Sequence, residues 1–167
     1  AWSNVSNINF IEVPDNGLPI GSPVASSGQI RIGAYDIKAV HGFNALAVAN
    51  IPPQINQPTN TLSGDIFFDI FPDWQIDSID GNTNTVDIFQ VAAHEIGHAI
   101  GLAHTDAPNS LMNDVYSENF IGLQPDDIDG ARFIYGSSQP INQVCGFSRR
   151  LGTLHFNLLP NNGCTTL

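Results

Sequence analysis

Three of the chain's five histidines and one glutamate fall in a single short stretch, His94-Glu95-Ile96-Gly97-His98-Ala99-Ile100-Gly101-Leu102-Ala103-His104. Neutral imidazoles are zinc ligands, and three of them leave a fourth coordination position for water, whose pKa falls to roughly 7 on the metal. A carboxylate beside them can take that water's proton as it attacks a carbonyl and pass it to a leaving amine. The chemistry is amide hydrolysis without a covalent intermediate. In a helix, His94 and His98 project from one face about one turn apart, with Glu95 offset by about 100°. A straight helix would carry His104 away from that face. Gly101 answers this, because glycine can take the left-handed conformation that ends a helix and turns the chain back, returning His104 as the third ligand. The plainer reading is a core helix whose histidines make ordinary hydrogen bonds, and the clustering of three histidines weighs against it.

The elements that must position these groups are legible in outline. Val91-Ala92-Ala93 leads into the helix and Asp87 is placed to cap its start. Pro125-Asp126-Asp127 opens a later helix with carboxylates at its positive end. Asn9 to Val13 and Gly28 to Tyr35 alternate like strands across a Gly/Pro/Ser-rich turn, and Ala45 to Ala49 and Asp65 to Asp69 read as two more. Strands first and helices later imply an α+β domain. Ser137 to Leu167, rich in Asn, Ser and Pro, reads as an appended segment rather than a second domain.

At 167 residues one domain is expected. A net charge of −11, with Lys38 as the single lysine, disfavours nucleic acid and anionic membranes as partners. No apolar run approaches the roughly 20 residues needed to span a bilayer, and no signal peptide is visible. The acidity fits either a saline habitat or calcium loading. The only cysteines, Cys145 and Cys164, are either a disulfide, which would constrain the unfolded chain by about 3 kcal/mol, or two free thiols.

The zinc-type motif with Ser110-Leu111-Met112 downstream resembles the metzincin clan of metallopeptidases, and most closely the matrixins, the matrix metalloproteinase family. Thr105 after the third histidine, the run Val91-Ala92-Ala93-His94-Glu95, and Asp126-Asp127-Ile128-Asp129-Gly130-Ala131-Arg132-Phe133-Ile134-Tyr135-Gly136 carry that likeness, which extends from Ala1 to Gly136. It implies a metzincin fold: a twisted, mixed, mostly parallel sheet, an active-site helix carrying His94 and His98 as zinc ligands with Glu95 as general base, and a C-terminal helix. It implies a secreted zinc endopeptidase that acts as a monomer on proteins or peptides and meets protein inhibitors. Met112 becomes the Met-turn residue, an apolar floor under the ligands. Ala1 to Val5 resembles the close of the first family helix, so the first strand and part of that helix are missing ahead of it. Domain bounds of 1–136 and 137–167 follow.

Departures from the family pattern sharpen the expectations. The family's second, structural zinc uses four side chains, of which only His41 remains. Phe43, Val48 and Phe67 stand at the other three positions, so one zinc is expected, with Val48 and Phe67 packed as apolar side chains and His41 a surface histidine. Asp69 aligns with a calcium-binding carboxylate, and Asp65, Asp73, Asp77 and Asp80 crowd nearby; the region reads equally as a calcium site or a solvated acidic loop. By the resemblance an extended substrate adds to the edge strand near Ala47, and the residue after the scissile bond, medium to large and apolar, enters a pocket lined by Val91, Val115 and Tyr116. Asp114 replaces the usual wall proline, which leaves the wall's backbone less constrained. Two other enzymatic readings, a serralysin-like enzyme and an aminopeptidase, lack the glycine-rich repeats and the amine anchor they need. A non-catalytic peptide- or matrix-binding module on the same scaffold is the non-enzymatic alternative, opposed by the presence of Glu95.

Overall fold

A computed structural model of the chain describes residues 1–15, 17, 29–53, 62–76, 85–118 and 122–138, with the backbone of strands at 147–150 and 153–156. The elements are α1 (Trp2–Val5), β1 (Ile32–Tyr35), α2 (Ile37–His41), β2 (Ala47–Ala49), β3 (Ile66–Asp69), β4 (Trp74–Gln75), β5 (Val86–Asp87), α3 (Ile88–Ala99), α4 (Pro125–Tyr135), β6 (Phe147–Arg150) and β7 (Thr153–Phe156). The expected α+β class is observed, with β1 to β5 preceding the two long helices and β6 and β7 following them.

β3 lies between β1 and β2, parallel to the first and antiparallel to the second, so the sheet is mixed and β2 forms one edge. β4 and β5 form a short parallel pair, and β6 and β7 an antiparallel one within the C-terminal segment. Asn9 to Val13, expected as a strand, is not one. Its backbone joins no ladder among the described residues, and Phe10, Ile11 and Val13 stay exposed. Alternation alone does not make a strand where no sheet edge runs alongside to take its N–H and C=O groups.

Two apolar clusters sandwich α3. Ala47, Ile66, Phe68, Val91 and Ala99 join the helix to the sheet. Trp2, Ile100, Leu102, Leu111, Met112 and Ala131 join its far end to α1 and α4. Ile96 packs against both. The Trp2 indole N–H donates to Ala93 O at 2.9 Å, so the short N-terminal helix is tied into the centre of α3.

Val48 and Phe67 are cross-strand partners. Phe67 is buried and Val48 partly so, as expected of apolar side chains. His41 is exposed, with Nε2 2.7 Å from the Tyr35 hydroxyl.

Gly97 is where the lower cluster presses hardest on the helix. A Cβ there would collide with Met112 Sδ and come within 2.9 Å of Trp2 Cζ2. Gly97→Ala should therefore cost about 1–3 kcal/mol through overpacking, despite alanine's better helix propensity. Thermal melts of the two proteins check this, and an unchanged or raised Tm would show that the Met112 side chain moves aside freely.

Candidate metal centre and cleft

The helix that carries the histidines is bounded at both ends by its own sequence. At the start, Asp87 Oδ1 accepts from Gln90 N at 2.7 Å, as expected of a capping aspartate. At the end, Gly101 N–H donates to His98 O and Leu102 N–H to Gly97 O, both at 2.9 Å, with Gly101 at φ +102°. This is the left-handed glycine stop expected at Gly101, in its paired-bond form. It also fixes one ligand, because the Leu102 carbonyl that emerges from it accepts from His98 Nδ1 at 2.8 Å.

Past the stop the chain returns, and His104 Nε2 comes to 3.2 Å from His94 Nε2 and 3.1 Å from His98 Nε2. His94 Nδ1 lies 2.6 Å from Leu111 O. A backbone carbonyl only accepts, so Nδ1 carries the proton in His94 and His98 and Nε2 presents a lone pair. Nitrogens bound to one tetrahedral zinc at about 2.0–2.1 Å would lie roughly 3.3 Å apart. The spacing fits, and these three are the one group of metal-capable side chains found among the described residues. Burial pushes the His98 imidazole down to about 4 and lowers His94 too, so both stand neutral at pH 7 without a metal.

Glu95 is 5% exposed and its Oε2 has no hydrogen-bond partner among the described residues. Burial raises its carboxyl to about 7. It lines, with the three histidines, a cleft of about 840 Å³ whose upper rim is β2 and the residues flanking it. Ala47, Val91, Val115 and Tyr116 all line it, and Asp114 stands beside them. The wall turn is built without proline: Asn113 Oδ1 accepts from Val115 N at 3.0 Å, a side-chain turn that fixes the backbone in its place. Tyr116 OH accepts from Asp87 N at 2.9 Å, fastening the wall to the start of α3.

Met112 is buried in the apolar cluster at the far end of α3, 2% exposed, and donates its N–H to Asp127. Asp69 Oδ1 accepts from Ile37 N at 3.1 Å, at the start of α2. Asp65 Oδ1 accepts from Arg31 N and Asp73 Oδ1 from Gln75 Nε2. Asp77, Asp80, Cys145 and Cys164 lie outside the described residues.

Two residues of the site escaped sequence reasoning. Asp127 was read as a charge at a helix start, yet it is buried and accepts from Ser110, Leu111, Met112 and Gln124 together. Gln90, 7% exposed, lines the cleft and donates Nε2 to Ser117 O. A glutamine one residue ahead of Val91, on the face of the helix that meets the wall, was the available signal.

A helix pair of imidazoles and a third returned by a glycine turn, with a buried glutamate lining the same cleft, form a three-histidine group that fits a zinc site. The family model described as Matrixin matches residues 1–136, and the chain belongs to the matrixin family of zinc-dependent metallopeptidases. Matrix metalloproteinase-25 of Homo sapiens is 42% identical over 145 residues, covering 83% of this chain and 24% of its own length. Stromelysin-3 of Mus musculus is 37% identical over 157 residues, covering 91% and 29%. The hatching enzyme of Paracentrotus lividus is 34% identical over 144 residues, covering 82% and 21%. The chain thus spans less than a third of the length of these curated relatives. Among the described residues no helix is long and apolar enough to cross a membrane.

Proposed function

We propose that residues 1–136 are the catalytic domain of a secreted zinc endopeptidase, with 137–167 an appended segment. The observation that supports this most is the convergence of three Nε2 atoms lining one cleft with a buried glutamate, one of whose oxygens has no hydrogen-bond partner among the described residues. His94, His98 and His104 would hold the ion, which when bound supplies Lewis acidity toward the scissile carbonyl.

The chain's own residues do the rest. The open edge of β2 aligns an extended peptide by backbone hydrogen bonds. The pocket of Val91, Val115 and Tyr116 takes an apolar side chain after the scissile bond and so sets which carbonyl faces Glu95. Glu95 accepts the proton of the attacking water and delivers it to the leaving amine. Met112 and the bonds to Nδ1 of His94 and His98 keep the ligand rings from turning. No side chain serves as a nucleophile, so each turnover needs only water and the peptide.

One zinc per chain by elemental analysis, and cleavage of denatured casein that a chelator abolishes and added zinc restores, are the expected results. Two zinc ions would mean that the reading of Val48 and Phe67 as apolar replacements for a second metal site is wrong. One zinc with no cleavage would favour a peptide-binding module.

A further inference from the structure

Phe43 lines the cleft while 51% exposed, away from either apolar cluster. It is nevertheless held. Its ring centroid lies 5.5 Å from that of His41, His41 lies 5.8 Å from Tyr35, and Tyr35 lies 5.0 Å from Phe67, all in tilted contacts. The Tyr35 hydroxyl is 2.7 Å from His41 Nε2, which stiffens the middle of this ladder. Phe67 is buried at the centre of the sheet. Rings at these separations attract one another, so a surface phenylalanine in a loop is anchored through three rings to the middle strand. Ile51, 47% exposed, adds apolar surface to the same rim beyond the far end of β2.

An extended peptide on the edge of β2 turns successive side chains to opposite sides. When one enters the pocket of Val91 and Tyr116, its neighbours face away from it, toward the rim. We propose that Phe43 is a specificity-determining residue: it forms a rim subsite that takes an apolar or aromatic side chain of the substrate at a position other than the one filling the Val91 and Tyr116 pocket. His41 and Tyr35 are positioning residues for it. The proposal rests on the reading of the cleft as a peptide-binding site. It also gives the aromatic cluster a task in recognition as well as packing.

The test uses the full chain, zinc-loaded and carrying Glu95→Gln, and a set of synthetic peptides in which Phe is moved along a Ser/Gly/Ala background with a fixed leucine for the Val91 and Tyr116 pocket. Calorimetry reads Kd. At one position Phe should bind about tenfold more tightly than Ser, and Phe43→Ala should erase that difference. Tyr35→Phe should remove part of it, and His41→Phe, which keeps a ring in the ladder, should preserve most of it. Equal discrimination at every position with and without Phe43→Ala overturns the proposal, as does a parent protein that binds none of the peptides. Cleavage of the same peptides by the protein with Glu95 intact separates the two claims: binding with Phe43-dependent preference but no cleavage rejects the catalytic reading alone, whereas cleavage without that preference rejects the rim subsite alone.

Discussion

Glu95→Gln leaves one zinc bound per chain and lowers kcat by about 10²–10⁴, with KM nearly unchanged. Glutamine keeps the shape and a hydrogen-bonding oxygen but cannot take a proton. The role asked of Glu95 is proton transfer, and burial brings its carboxyl to about 7 in the metal-free chain, where gain and return of a proton are nearly balanced. The sign of the pH dependence follows. Glu95 must be ionised to accept, so activity rises with pH as the carboxyl loses its proton, and a dication held by the neighbouring histidines favours the anion and moves that rise below about 7. Steady-state kinetics on a quenched fluorescent peptide, with metal content measured on the same samples, is the check. A kcat within threefold of the parent would remove Glu95 from the chemistry. Loss of zinc from the variant would instead give it a structural role.

Asp127→Asn is expected to have the largest effect on stability, about 2–5 kcal/mol. The side chain is 2% exposed, and its two oxygens receive Leu111 N–H at 2.8 Å, Met112 N–H at 2.9 Å, Gln124 N–H at 2.7 Å and the Ser110 hydroxyl. Asparagine keeps one of the two acceptor oxygens and, whichever way it turns, points its NH₂ at one or more backbone N–H groups that only donate. The damage does not stop at stability. Leu111 is also the residue whose carbonyl holds the His94 ring at Nδ1, and Met112 packs against the helix at Gly97, beside His98 in the chain. Freed from Asp127, that turn should let the ring rotate, so zinc affinity should fall about 10- to 100-fold, as for other lost supports of metal-bound histidines. Urea unfolding and competition for zinc with a chromophoric chelator measure the two effects separately. Destabilisation with unaltered zinc affinity would show that the ligand turn keeps its shape without the carboxylate.

The parts of this site that sequence reasoning reached are those written in local spacing. His94 to His98 is one helical turn, Gly101 a stop with a known dihedral requirement, Asp87 a cap acting three residues away; each depends on neighbours in the chain and on little else. The edge strand at Ala47 and the tyrosine wall were legible by resemblance to the matrixins. What stayed hidden depends on distant partners. Nothing near Trp2 announces that its indole reaches Ala93, and nothing near Asp127 announces the four donors it gathers. Asn9 to Val13 shows the reverse failure. Its alternation is a local property, whereas strand formation also needs a partner. The replacement of metal-binding positions by Val48 and Phe67 was readable as burial, but the continuation of Phe67 through Tyr35 and His41 to Phe43 required the rings' relative placement.

The stop at Gly101 places a demand on handedness rather than on side-chain chemistry. Its φ of +102° lies where an L-residue is strained, and an L-Cβ there would meet nothing closer than Ile134 Cδ1 at 3.9 Å. Lack of room is therefore not what excludes alanine. The same dihedral suits the mirror-image amino acid, so a semisynthetic chain with D-alanine at 101 should keep its third imidazole in place while the L-isomer, identical in composition, should not. At this one position the convergence of the three imidazoles is specified by chirality, and no ordinary single-residue substitution can improve on the absence of a stereocentre.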